Sequence, residues 1–326
     1  MQIMSSVMPD AVPVAEPAPR LAPQAPAHLV MVRPHQFTVN PATAADNAFQ
    51  QDSAIVGRDD VMARGAYDDV TRLAGALRQA GVGVSMFEDE SGTSPDSVFP
   101  NNWFTTHPDG RVLLCPMYAV NRRAERRSDV IEHLRGQFNV TEVLDWSAAE
   151  DHGQFLEGTG SVVIDHARAI AYGCRSHRLT DELFFRFCAE FGLHPVLFDA
   201  VDPAGRPIYH TNVMMSVGEH LALIGAHLIP DPAQREQVLD MLRASGRTVV
   251  ELDGHQIASF AGNALELRGA AGQVLAMSTR AEASLRPDQR EAIAPHARIM
   301  AVDVSTVEAS GGSVRCMLAG IHLPPP

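Results

Sequence analysis

The feature that most constrains this chain is a repeat. Taking Asn102, Gly160, Asn212, Asn263 and Val314 as anchors, similar stretches recur at gaps of 58, 52, 51 and 51 residues. Each cycle reads as an amphipathic helix, a short apolar strand, a polar loop, then two apolar runs split by a turn. The first cycle places a helix over 67–79, a strand over 82–87, the loop SGTSPDSVFPNN, and a hairpin turning at Pro108-Asp109-Gly110. The later cycles place helices over 129–137, 180–191, 232–244 and 287–293 and strands over 141–146, 195–199, 248–252 and 298–304. A fixed period near 50 means repeated supersecondary units in an α/β chain. An open solenoid needs capping repeats, and neither end resembles a cap, so five units point to a ring. The lone strand HLVMVRP, starting at His28, is expected to complete the last unit, which has only one long strand of its own.

The segment before His28 has a different character. Its stretch 9–27 is rich in Pro and Ala with almost no large apolar residues, so 1–27 reads as a disordered tail and 28–326 as one catalytic domain. The net charge of −13 argues against a general nucleic-acid partner. All 26 basic residues are Arg, which excludes a Lys Schiff base and a Walker A phosphate loop. No run of 18 apolar residues and no secretory signal are evident, so no membrane association and a cytoplasmic location are expected. The four cysteines, Cys115, Cys174, Cys188 and Cys316, form no CxxC pair, so neither a zinc ribbon nor a disulfide framework is expected.

In a closed ring, residues at equivalent hairpin starts converge on one axis. Those positions hold Asp96, Asn101 and Asn102, then Glu157, then His210 and Asn212, then Ser259 and Asn263, and finally Cys316. Cys316, in GGSVRC, is a candidate nucleophile whose thiolate would be favoured by a nearby imidazole or cation. The plainer reading is a buried small hydrophobe. His210, in PIYHTNVMM, is a candidate acid and base. Glu157, in FLEGTGSVV, is a candidate for orienting an imidazole or taking a substrate proton; otherwise it is a solvated loop acid. The Asp and Asn residues of PDSVFPNNW serve either turn geometry or recognition of a planar group. The run RRAERR, Arg122–Arg127, reads as a solvated helix start. No spacing supports a metal site.

Taken together, these segments resemble the guanidino-group-modifying superfamily, whose fold is a five-bladed β/α-propeller (pentein). It includes arginine deiminases, dimethylarginine dimethylaminohydrolases and amidinotransferases. PDSVFPNNW resembles the first-blade motif of the dimethylarginine hydrolases, LEGTGSVV the motif carrying the family's acid, and YHTNVMM the catalytic His segment. CRSHRLT resembles the segment whose Arg binds the substrate carboxylate, and GGSVRCML the C-terminal nucleophile segment. The resemblance covers 28–326 and implies Cys316, His210 and Glu157 as the catalytic set. It implies Asp96, Asn101, Asn102, Arg178 and Asn212 as substrate-binding residues, with no cofactor and no metal. The overall likeness is greatest to citrulline-utilisation hydrolases.

The departures bear on the substrate. Asn101-Asn102 stands where the family has a Glu-Asp pair, and His210-Thr211-Asn212 where arginine deiminases have His-x-Asp. Gly158-Thr159-Gly160 follows the acid in place of Gly-Gly-Asp, and an Arg expected near Pro116 is missing. Neutral amides offer donors and acceptors but no charge, which suits a ureido group better than a guanidinium. The expectation is therefore a cysteine hydrolase converting citrulline to ornithine. The alternatives are a dimethylarginine or arginine hydrolase or deiminase, an amidinotransferase, or a catalytically silent propeller that binds an amino acid. The expected partner is a small amino-acid substrate, with homo-oligomerisation left open.

Overall fold

The structure is a computed structural model and describes residues 22–51 and 59–326. It contains five separate three-stranded sheets, and one arrangement recurs in all of them. A first strand pairs antiparallel with a middle strand, and the middle strand pairs parallel with a third. In four of the sheets a hairpin makes the antiparallel pair; the parallel pair needs a crossover, which a helix supplies in each unit.

The N-terminal strand β1 (His28–Pro34) pairs in parallel with β2 (Gly83–Asp89), joined through the helix Asp59–Gln79. The next sheet contains β3 (Phe104–Thr106), β4 (Arg111–Leu114) and β5 (Glu142–Asp145), with the helix Ser128–Gln137 in its crossover. Strands β6 (Val162–Asp165), β7 (Ile170–Cys174) and β8 (His194–Phe198) follow, with the helix Asp181–Phe191. The fourth sheet is β9 (Met215–Val217), β10 (Leu221–Ile224) and β11 (Thr248–Glu251), with the helix Pro232–Ala244. The fifth is β12 (Leu265–Gly269), β13 (Gly272–Ser278) and β14 (Arg298–Val302), with the helix Pro287–Ile293.

The short β15 (Ala319–Gly320) returns to β1 and pairs antiparallel with it at Leu29–Gly320 and Val30–Ala319. The two ends of the chain thus build one unit between them, as the lone N-terminal strand suggests. The helices follow the expected ones within a residue or two, except that the first extends back to Asp59. The middle strand β10, and β6 at the first position of its sheet, are buried at every residue, as expected of strands covered on both faces.

Two expectations need correcting. Residues 22–27 are ordered at least from Gln24: Gln24 and Ala25 are buried, and the Gln24 amide donates to the carbonyls of Ile164 (3.0 Å) and Val217 (2.8 Å). A polar side chain that satisfies backbone groups of two sheets overrides a composition that predicts disorder. The rest of the supposed tail, 1–21, lies outside the described residues. The loops before the hairpins are not irregular either. They contain single helical turns: Pro100–Asn102, Gly158–Ser161, Thr211–Val213 and Val314–Met317. Each turn delivers the chain into the first strand of its hairpin. No helix among the described residues is long and apolar enough to cross a membrane.

Candidate active site

The helical turns that precede the hairpins meet one another, and they carry the candidate residues. Glu157 caps the turn Gly158–Ser161, His210 caps Thr211–Val213, and Cys316 lies within Val314–Met317. Asn101 and Asn102 lie in Pro100–Asn102. Gly158 explains part of how they fit. Its φ is +47°, and a Cβ there would come within 2.3 Å of the Asn101 carbonyl oxygen, so only Gly lets the two turns touch. At Gly160 a Cβ would lie 2.9 Å from Nδ1 and Cε1 of His210 and 3.0 Å from Nδ2 of Asn102. The GTG sequence is therefore a packing device that seats the imidazole.

His210 Nε2 is 2.8 Å from Glu157 Oε2, and both side chains are buried. Oε1 of Glu157 accepts from the Tyr118 backbone N–H at 2.9 Å. Burial opposes the charge on Glu157. Arg178, the His210 contact and Arg122 outweigh that cost and hold its carboxyl at about 2. Burial moves His210 the other way, down to about 4 against the pull of Glu157. Near neutral pH the pair is a carboxylate beside a neutral imidazole, with Nε2 committed to Glu157 and Nδ1 left for chemistry.

Cys316 has a different setting. Nδ2 of Asn263 donates to its Sγ at 3.3 Å and Nδ2 of Asn212 at 3.6 Å. Asn263 also donates to the Asn212 carbonyl (3.0 Å) and accepts from the Arg315 N–H (3.1 Å), which fixes both amides against the sulfur. Burial raises the Cys316 thiol above its ordinary value, while the Ser313 backbone, the two amides and Arg315 partly offset it. Burial pushes Cys115, Cys174 and Cys188 up to about 12. These three lie in hydrophobic clusters, as their strand and helix patterns suggest.

A small cavity brings Cys316 and His210 together with Asp96, Asn102, Arg122 and Arg178. Asn101 is buried beside it; its Oδ1 accepts from Asn102 Nδ2 at 3.2 Å, and its own Nδ2 has no partner, nor has Asn102 Oδ1. The expected residues thus gather, and two of them, Arg178 and Asp96, already have partners within the protein. Arg178 is not open to a substrate carboxylate. Its Nε and Nη2 donate to the two oxygens of Asp46 at 3.0 and 2.8 Å, its Nη1 lies 3.6 Å from Glu157, and its guanidinium sits 4.7 Å from the Tyr209 ring centroid. A substrate carboxylate would have to displace Asp46. Asp96 accepts from Asn40 Nδ2 at 2.7 Å and lies 3.5 Å from Arg122 Nε.

Sequence reading missed several members. Arg122, placed with a solvated helix start, is 2% exposed and makes a paired contact with Glu125 at 2.9 and 2.8 Å. It also reaches Glu157 at 3.8 Å. A run of five charges masks one inward-facing member, and only the i,i+3 spacing of Arg122 and Glu125 hints at it. Asn40 and Asp46 come from a stretch outside the repeat. Asn263 stood at the repeat's equivalent position, which is the signal that finds it.

The fold and this gathering of groups define the class. Five small mixed sheets that meet through their pre-hairpin turns are the architecture of the pentein proteins, which modify guanidino groups. Within them, the chain belongs to the family described as N,N dimethylarginine dimethylhydrolase, eukaryotic, whose model matches residues 33–323. Solved structures agree on the fold. The N-terminal domain of ArgZ bound to substrate, an arginine dihydrolase from the ornithine-ammonia cycle in Cyanobacteria, superposes with a TM-score of 0.72 at 14% identity, covering 91% of this chain and 98% of that one. Unliganded AgrE gives 0.70 at 14% identity, covering 92% of this chain and 40% of its own. A dimethylarginine dimethylaminohydrolase adduct with 4-chloro-2-hydroxymethylpyridine gives 0.58 at 16% identity, covering 90% and 98%. A comparison with curated protein sequences returns no match.

Proposed function

We propose that the protein is a cysteine hydrolase that cleaves a C–N bond of a ureido amino acid, with citrulline converted to ornithine, and that its five sheets are the blades of a ring around the site. The observation that carries this reading is the state of the charges. Each buried arginine beside the cavity is already held by a carboxylate, Arg122 by Glu125 and Arg178 by Asp46. Asp96 and Glu157 lie against the same guanidiniums. The acids are thus engaged, and the groups next to Cys316 are the neutral amides of Asn212 and Asn263. A third buried guanidinium would find no free carboxylate, whereas a neutral ureido group needs only donors and acceptors.

In this mechanism Cys316 gives its proton to His210 as Sγ attacks the ureido carbon. Glu157 stabilises the imidazolium. His210 then protonates the departing nitrogen, the C–N bond breaks and ammonia leaves. Water, deprotonated by His210, attacks the thiocarbamate carbon, the S–C bond breaks and the thiol is restored. The resulting carbamate loses carbon dioxide to give ornithine. Arg178 and Arg122 act as positioning residues that keep Glu157 ionised. No cofactor or metal takes part. The four unpaired thiols suit a reducing compartment.

The family description and the arginine dihydrolase relative favour a second reading, with arginine or a methylated arginine as substrate. Measuring kcat/KM for citrulline, arginine and dimethylarginine separates the two. Citrulline should lead by roughly 10² or more, since an unpaired buried ion costs about 3–5 kcal/mol. Asn102→Asp should move the ratio towards arginine. A wild-type enzyme that prefers arginine overturns the charge argument and makes the guanidino compound the substrate.

A further inference from the structure

Four arginines are buried among the described residues: Arg122, Arg178, Arg247 and Arg315. Three have a carboxylate in contact, namely Glu125, Asp46 and Asp165. Arg315 has none. Its Nη1 reaches only the Ala264 carbonyl at 3.4 Å, and its Nε is buried without a hydrogen-bond partner. Burial pulls it down to about 10, with the Cys316 thiol as the one opposing influence. A buried cation left uncompensated is costly, so its retention calls for a counter-charge.

The side chain lines a small cavity that shares no lining residue with the Cys316 cavity. His166 and His322 also line it, stacked at 3.7 Å between ring centroids with an interplanar angle of 24°. Burial lowers both, with Arg315 contributing, and His322 falls to about 4, so they are neutral rings able to donate at neutral pH. Gln24 forms another part of the wall. None of the nearby acids pairs with Arg315: Asp165 is paired with Arg247, and Glu266 accepts from the Glu219 N–H at 3.0 Å through Oε1 while its Oε2 is buried without a partner.

We propose that this second cavity binds a small oxyanion, a carboxylate or a phosphate, with Arg315 as its charge partner and His166 and His322 as further donors. The assignment does not depend on the substrate of the Cys316 site.

The test is calorimetric titration of the full chain with inorganic phosphate and, separately, with acetate, before and after Cys316 is blocked with iodoacetamide. One anion per chain should bind, the blocked protein should retain it, and the tighter of the two anions names the source. Arg315→Gln and, independently, His322→Phe should weaken binding; for Arg315 the loss should be about tenfold or more, the worth of a charged hydrogen bond. If Arg315→Gln does not fold, selenate soaked into crystals of the wild-type protein decides by its anomalous peak, expected at Arg315. The proposal fails if neither anion binds, if blocking Cys316 abolishes binding, if folded Arg315→Gln binds as tightly as wild type, or if the selenate peak lies elsewhere.

Discussion

The two walls of the Cys316 cavity are built on opposite electrostatic plans. The wall behind His210 is a network of full charges, with Glu157 at its centre and Arg178, Arg122, Asp46, Glu125 and Asp96 around it. The wall behind the sulfur holds no carboxylate: Asn263 and Asn212 donate to Sγ, and the charge that acts on the thiol is the Arg315 guanidinium. In the proposed reaction the charged wall would stabilise an imidazolium formed only in turnover. An amide wall orients the sulfur without ionising it in advance. The contrast teaches that the free site is a thiol beside a neutral imidazole, so the proposed mechanism must defer charge separation until a substrate is bound.

The two walls can be attacked separately. The largest effect is expected from Cys316→Ser, which should cost on the order of 10³ or more in kcat with unchanged melting, as for removal of a triad nucleophile. Retention of a tenth of the wild-type rate would remove the sulfur wall from the chemistry. Next is Glu157→Gln, which strips the charged wall of its centre while keeping its shape. We expect a loss of roughly 10²–10³ in kcat, within the range of acid–base catalysis, with KM changed less. A variant that loses only KM would show that the charges bind rather than catalyse.

The pH response sharpens the contrast. With the thiol raised and His210 lowered to about 4, no thiolate–imidazolium pair persists in the free protein at mildly acidic pH. Iodoacetamide modification of Cys316 should therefore rise about tenfold per pH unit from neutrality upwards, because only the thiolate reacts. A rate plateau extending below pH 6 would mean a preformed ion pair and would break the comparison. The smallest effect belongs to Asn263→Ala, which removes one neutral hydrogen bond to Sγ. A loss of about tenfold or less in kcat/KM is expected, and the modification profile should move to higher pH.

The gathering of the candidate residues was legible because each sits at the same phase of a repeat. Once the helices and hairpins were read from their periodicity, Glu157, His210 and Cys316 fell on equivalent turns, and Asn263 at the matching point just before β12. The roles of the arginines were not legible in the same way. Arg122 lies in a run of charges that local patterning assigns to solvent, and Arg178 in a motif whose likeness suggested a substrate contact that Asp46 already fills.

What the amino-acid sequence determined by itself is the repeating unit: period, helix and strand placement, and the lone first strand that completes the last sheet. These follow from hydrophobic periodicity and turn chemistry, which act over a few residues. The pairing of Arg178 with Asp46, of Arg122 with Glu125 and Asp96, and the isolation of Arg315 were decided only in the tertiary structure. Burial and a partner's distance set the state of a charge. Asp46 and Arg178 are 132 residues apart, so their pairing exists only once the sheets have met.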